Sequence, residues 1–195
     1  KTTASTTCGF DLPASKRTKA NAAKFKTLQR RLSKSTKGSK RREKRRKRVA
    51  KLQRAISRQR KDAINKWANG VVQRYHYIAI EDFKPSFLTK STMAKQAADN
   101  SIGLAKQTLI SKAERSGRIV ALVNPAYSTM TCSGCGARAK QRLPLAQRSF
   151  SCPECGFTAD RDRNAASVIL ARAGFNPMAV DDVRHSLTFG LASAV

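Results

Sequence analysis

Two Cys-x-x-Cys pairs constrain this chain more than any other stretch: Cys132-Ser133-Gly134-Cys135 and Cys152-Pro153-Glu154-Cys155. Sixteen residues, 136 to 151, separate them. Each pair makes one tight turn that presents two sulfurs, and two such turns close a tetrahedral four-thiolate site. The spacing is that of a structural Zn2+ ribbon held by Cys132, Cys135, Cys152 and Cys155, with Cys8 outside it. Gly134, Gly136 and Gly156 suit the turns. A redox or disulfide pair is the competing reading of the same cysteines. A metal knuckle alone implies a folded unit and no reaction. Five residues beyond it, however, comes an acidic motif, Asp160-Arg161-Asp162-Arg163-Asn164-Ala165-Ala166.

Charge decides the class of partner. The 195 residues carry a net +28, from 40 Lys and Arg against 12 Asp and Glu. Residues 1–74 hold 25 of those bases and three of the acids, a net +22. Such an excess repels itself and seeks polyanions. Its densest part is Lys40, Arg41, Arg42, Lys44, Arg45, Arg46, Lys47 and Arg48, nine positions interrupted only by Glu43. Like charges three and four apart destabilise a helix, so this run makes most sense beside phosphates. No apolar run approaches the roughly 20 residues of a membrane span, and Lys1 to Gly9 lacks the apolar core of a signal peptide. Four cysteines in a metal pattern fit a reducing compartment, so the expected location is cytoplasmic.

Along the chain, Ala22, Phe25, Leu28 and Leu32 predict a helix running from about Ala14. Ser33 to Ser39 break it, and Val49, Leu52, Ile56, Ala63, Trp67 and Val71 mark a second helix from about Ser39 to Asn69. The two form a basic helical hairpin. Tyr75 to Ile80 reads as a buried strand leading into Glu81-Asp82-Phe83. Residues 84–98 read as a loop, followed by a helix capped near Asn100 or Ser101 and ended by Gly117. Arg118 to Val123 is a second strand. A last helix starts at Asp160 or Asp162 and ends at Gly174, and residues 175–195 receive no assignment.

In this order the motifs resemble the C-terminal half of the transposon-encoded TnpB (OrfB) proteins, relatives of the type V CRISPR effectors. The carriers are Ile80-Glu81-Asp82-Phe83, Asn124-Pro125-Ala126-Tyr127, the paired Cys-x-x-Cys turns and Asp160 to Ala166. Leu28 to Ser33 with Lys37-Gly38-Ser39 resembles that family's basic helical segment. The resemblance implies an α/β chain: an incomplete RNase H-like (RuvC) domain, preceded by the basic hairpin and carrying an inserted four-Cys zinc ribbon. Residues 1–13 are then the remnant of an N-terminal strand region, 14–74 the hairpin, 75–130 part of the core, 131–158 the ribbon, 159–174 the core's last helix and 175–195 a tail.

It further implies a transposon-associated, truncated RNA-guided DNA endonuclease, a transposase accessory protein acting with DNA and a guide RNA. Glu81 and Asp162 take the second and third of three catalytic acids, with Asp160 the second choice for the third. Mg2+ is the implied catalytic ion, since hard divalent cations favour carboxylate oxygens. The first acid belongs in a Gly-Ile-Asp-like strand well before the basic helices. Gly9-Phe10-Asp11-Leu12 is only superficially similar, because Asp11 lies two residues before Pro13 at the entry to the helices. The expectation is therefore two acids of three. The rival readings are a non-enzymatic zinc-ribbon protein that binds DNA or RNA, and a decayed fragment.

Overall fold

The computed structural model describes residues 2–83, 101–144 and 147–175. A short antiparallel hairpin opens it, β1 (Thr2–Ala4) on β2 (Leu12–Pro13). Asp11 belongs to this hairpin's turn, where its carboxylate accepts the Thr6 amide at 2.8 Å. Helices α1 (Arg17–Ala20) and α2 (Ala22–Ser33) follow. The single helix expected from Ala14 is interrupted at Asn21, whose side-chain amide donates to the Arg17 carbonyl at 2.8 Å. That local bond offers the backbone an alternative to continuing the helix.

Helix α3 (Lys40–Arg74) is 35 residues long. Ser39 caps it by accepting the Arg42 amide at 3.1 Å. It passes the expected end at Asn69 because Val71 and Val72 are buried and repay the extra turn. Strand β3 (Tyr77–Glu81) pairs in parallel with β4 (Ile119–Val123), in register from Tyr77 opposite Ile119 to Glu81 opposite Val123. Between them runs α4 (Ile102–Arg115), the crossover that a parallel pair requires. Ser101 precedes α4 with φ 52° and makes no side-chain capping bond. The predicted loop 84–98, Asn100 and residues 176–195 lie outside the described residues.

One core joins these pieces: Ile64, Trp67, Ala68, Val71 and Val72 of α3, Ala105, Leu109 and Ala113 of α4, with Ile78 and Leu12. The Trp67 indole N–H donates to the Phe10 carbonyl at 3.0 Å, which ties the opening hairpin to α3. Beyond β4, residues 131–144 and 147–160 form a separate small lobe around Cys132, Phe150 and Cys152. Its hairpin is β5 (Ser149–Ser151) on β6 (Thr158–Asp160). The last helix, α5 (Arg161–Arg172), leaves this lobe directly. Its N-cap is Asp160, whose carboxylate accepts the amides of Asp162 at 2.9 Å and Arg163 at 3.1 Å. Asp160 is thus a capping residue, and the Asp162 carboxylate is left to other work.

The α2–α3 junction is held by arginines. Arg42 donates to the carbonyls of Leu32 at 3.1 Å and Ser35 at 3.0 Å. Arg45 donates to the Arg31 carbonyl at 2.6 Å and to the Ser35 hydroxyl at 2.8 Å. These bonds satisfy the orphan carbonyls at the α2 C-terminus, where positive charge is also favourable. Arg41 and Arg46, one to either side of the face that Arg42 and Arg45 share, are exposed. Replacing Arg42 and Arg45 together by Gln is expected to cost about 2 kcal/mol and lower the Tm by roughly 4–8 °C. The Arg41→Gln, Arg46→Gln pair should leave the Tm unchanged in the same melting experiment.

Candidate functional site

The two cysteine turns fold identically. The Cys132 amide donates to the Ala137 carbonyl at 2.8 Å and the Cys152 amide to the Phe157 carbonyl at 2.9 Å. The Gly136 and Gly156 amides close the turns on the carbonyls of Cys132 and Cys152 at 2.9 and 3.0 Å. The four Sγ atoms all lie within 4.8 Å of one another. Cys132 Sγ stands 3.8 Å from Cys155 Sγ, and Cys135 Sγ 3.7 Å from Cys152 Sγ. Four sulfurs about 2.3 Å from one tetrahedral ion stand about 3.8 Å apart, so the set fits a metal. A disulfide would need about 2.05 Å, and the five cysteines are free thiols. Donation from the Cys155 and Glu154 amides lowers the Cys152 thiol to about 7. Against the lowering effect of the Phe157 amide, its sulfur neighbours raise Cys155 to about 12. A cation that replaces these contested protons relieves the competition. Cys8 lies elsewhere, exposed, accepting the Tyr75 hydroxyl at 2.9 Å.

The structure brings Glu81 and Asp162 together although 80 residues separate them in the chain. Both line one cavity of about 600 Å3 bounded by β1, β3, α3, α4 and α5. Strand alternation sends Ile78 and Ile80 into the core with α3 and α4, so Tyr77, Ala79 and Glu81 face the α5 side. On α5, Asp162, Ala165, Ala166 and Ile169 share the stripe that faces the same space. Burial raises the Glu81 carboxyl above its ordinary value of 4.5, and the charge of Asp162 raises it further. The Lys106 ammonium and a hydrogen bond from Ser128 partly offset that rise. Asp162 is flanked by Arg148 at 3.6 Å and Arg161 at 3.8 Å. Two carboxylates facing one half-dry cleft could hold a divalent ion.

Three partners of this pair have no counterpart among the residues singled out from sequence. Lys106 comes from α4, its side chain 13% exposed, and bridges to Asp82 at 3.0 Å. Ser128, 3% exposed, sits in the turn after β4. Arg148 reaches in from the cysteine lobe. None has a local signature, since each is defined only by the Glu81 or Asp162 beside it. Of the eight basic residues at 40–48, Lys40, Arg41, Lys44, Arg46, Lys47 and Arg48 are exposed, with Lys47 paired to Glu43 at 2.9 Å. Arg42 and Arg45 instead donate to the α2 C-terminal carbonyls of Leu32 and Arg31.

Comparison with known proteins places this arrangement. Residues 2–92 match the OrfB family of IS605-type elements, described as "Probable transposase". Residues 103–169 match the family described as "Cas12f1-like, TNB domain". A protein of Escherichia coli K12, "Putative RNA-guided DNA endonuclease InsQ", is 32% identical over 183 residues, 85% of this chain and 45% of its own length. The chain belongs to the TnpB (OrfB) family. A second relative, "Putative RNA-guided DNA endonuclease" from Streptomyces pristinaespiralis, is 31% identical over 86% of this chain and 41% of its own length. The chain thus spans less than half the length of these curated relatives. A solved structure titled "Cryo-EM structure of the Cas12f1-sgRNA-target DNA complex" superposes with a TM-score of 0.58 at 20% identity, covering 86% of this TnpB chain and 44% of that one. That likeness shows the mixed α/β fold. No described helix is long and apolar enough to cross a membrane.

Two outcomes are expected of the site. Elemental analysis should find one zinc per chain, and Cys135→Ser should lose it with a lowered Tm. Full zinc content in that variant would remove the four-sulfur assignment. The second outcome follows from Glu81. Its folded pKa lies above the unfolded one, so the stability it contributes is complete below about pH 4.5 and is lost as pH rises through the raised folded value. In metal-free buffer at pH 7, Glu81→Gln should melt at a higher temperature than the parent, and the gap should close as pH falls toward 4.5.

Proposed function

We propose that this chain is the nuclease-bearing portion of a transposon-associated RNA-guided DNA endonuclease, with a RuvC-like site of which it supplies two acids, Glu81 and Asp162. The observation that carries the reading is their convergence on one cavity, where the charge of Asp162 already acts on the half-buried Glu81 carboxyl. Helix capping would explain an acid at the start of α5 without Glu81, but that task belongs to Asp160. The names of the InsQ and Streptomyces relatives agree with this activity.

The division of labour follows from the residues. The exposed bases Lys40, Arg41, Lys44, Arg46, Lys47 and Arg48 on α3 hold DNA or guide RNA through its phosphates. The four cysteines hold structural Zn2+. Glu81 and Asp162 would hold Mg2+, which would supply positive charge to the scissile phosphodiester. Lys106 limits the repulsion between the two acids, and Ser128 beside Glu81 favours its charged form.

The reading also accounts for β3. Among the described residues its one ladder partner is β4, while Tyr77 to Glu81 all border the cavity. A parallel sheet is normally covered on both faces and continued by further strands. In our reading a further strand continues the sheet beside β3 and bears the first acid. Asp11 does not serve, because it is bound within the turn of the opening hairpin.

Two assays on the purified chain test this. Replacing Arg41, Lys44, Arg46 and Arg48 by Gln should weaken DNA and RNA binding and lower the salt slope by roughly 0.9 for each duplex phosphate that is no longer neutralised. The 195-residue chain by itself should show little or no Mg2+-dependent DNA cleavage. Robust cleavage abolished by Glu81→Ala would show the site to be complete here and would return Asp11 to consideration. Binding intact in the four-Gln variant at all salt concentrations would exclude α3 as the nucleic-acid surface.

A further inference from the structure

Asn164 is the most deeply buried polar side chain among the described residues, 1% exposed. Nothing in the carboxylate pair requires it. Its two polar atoms are both used, and both on the cysteine lobe. The Nδ2 amide donates to the Thr131 carbonyl at 2.7 Å, and Oδ1 accepts the Ser133 amide at 2.9 Å. Thr131 and Ser133 flank the ligand Cys132. A side chain with one donor face and one acceptor face is needed here, and Asp or Leu would strand at least one buried backbone group.

Helix geometry shows what these bonds do. Each residue of an α-helix turns about 100°, so Asn164 and Asp162 leave α5 about 160° apart, on opposite sides. The bonds of Asn164 therefore hold the back of the first turn while Asp162 points into the cleft. A second tie acts on the same turn: the Arg161 amide donates to the Arg148 carbonyl at 2.7 Å, and its guanidinium to the Pro144 carbonyl at 3.1 Å. Rolling α5 would break all four bonds at once.

We propose that Asn164 is a positioning residue that couples the first cysteine turn to the roll of α5, so that the folded metal knuckle sets where the Asp162 carboxylate points. This rests on the reading of Glu81 and Asp162 as the metal-holding pair. In consequence the cysteine lobe is part of the carboxylate site's scaffold, and loss of zinc disorders the acid's helix turn before it disturbs the main core.

The test uses the full 195-residue chain with zinc, as parent, Asn164→Ala, Asn164→Asp, Cys135→Ser and the Asn164→Ala, Cys135→Ser double variant. Amide hydrogen exchange is followed by NMR at Asp162 and Arg163, with the amides of Leu109 and Ala113 in α4 as reference. Asn164→Ala is expected to speed exchange at Asp162 and Arg163 roughly tenfold and to leave α4 unchanged. Cys135→Ser should do the same, and the double variant should exchange no faster than either single one, because one linkage is broken twice. Asn164→Asp, which keeps the acceptor, should fall between parent and Asn164→Ala. Unchanged exchange at Asp162, equal acceleration in α4, or fully multiplicative effects in the double variant would overturn the proposal. Mn2+ titration by EPR separates it from the reading beneath it. If Glu81→Ala leaves Mn2+ binding intact, the carboxylate-pair reading fails while the exchange data still decide the coupling. If binding needs Glu81 but is no weaker in Asn164→Ala, the positioning role fails.

Discussion

The parallel pairing of β3 with β4 is the constraint on which the site depends. Two parallel strands cannot be joined by a tight turn, so α4 must cross between them. A two-stranded sheet buries too little by itself. Its stability comes from covering: α3 and α4 bury Ile78, Ile80 and Val120 on one face, and α5 packs against β3 on the other. The strand must therefore end where those helices end. Glu81 is its last residue, and it emerges at the level of the first turn of α5.

From that level the electrostatics follow. A carboxylate at the rim of an apolar cavity loses hydration, and a second one nearby compounds the cost. Glu81 bears both penalties, with Lys106 as partial relief. Structural stability alone would not favour two facing acids, and a cation that neutralises them would be bound all the more readily. Asp162 stands in a different setting, with Arg148 at 3.6 Å and Arg161 at 3.8 Å. The two acids thus differ in surroundings: Glu81 is hemmed in by burial and Asp162 is flanked by guanidinium groups.

The basic helices illustrate how tertiary context divides a uniform run. Eight charges in nine positions read as one patch. In the fold, Arg42 and Arg45 turn to the C-terminal carbonyls of α2 and become part of the joint, while their neighbours stay in solvent. The distinction is one of helix phase: residues three apart face the same way, and that side of α3 meets α2.

The sequence by itself determined the local units. Cysteine spacing fixed the four-sulfur knuckle, since turn geometry acts over a few residues. Hydrophobic periodicity located α3, α4, β3 and β4 to within a few residues, except where a side chain intervened locally, as at Asn21, or burial prolonged a helix, as at Val71 and Val72. Only the tertiary structure decided which polar residues work together. Lys106 and Ser128 are unremarkable where they stand in the chain and gain meaning from the burial of Glu81. Asp160 and Asp162 are alike in sequence, and the fold made one a cap and the other a wall of the cleft. Asn164 could be read in its motif, but not its partners, because Thr131 and Ser133 come to it across 30 residues of intervening chain. Desolvation and long-range pairing depend on what packs nearby, and no window of sequence contains that.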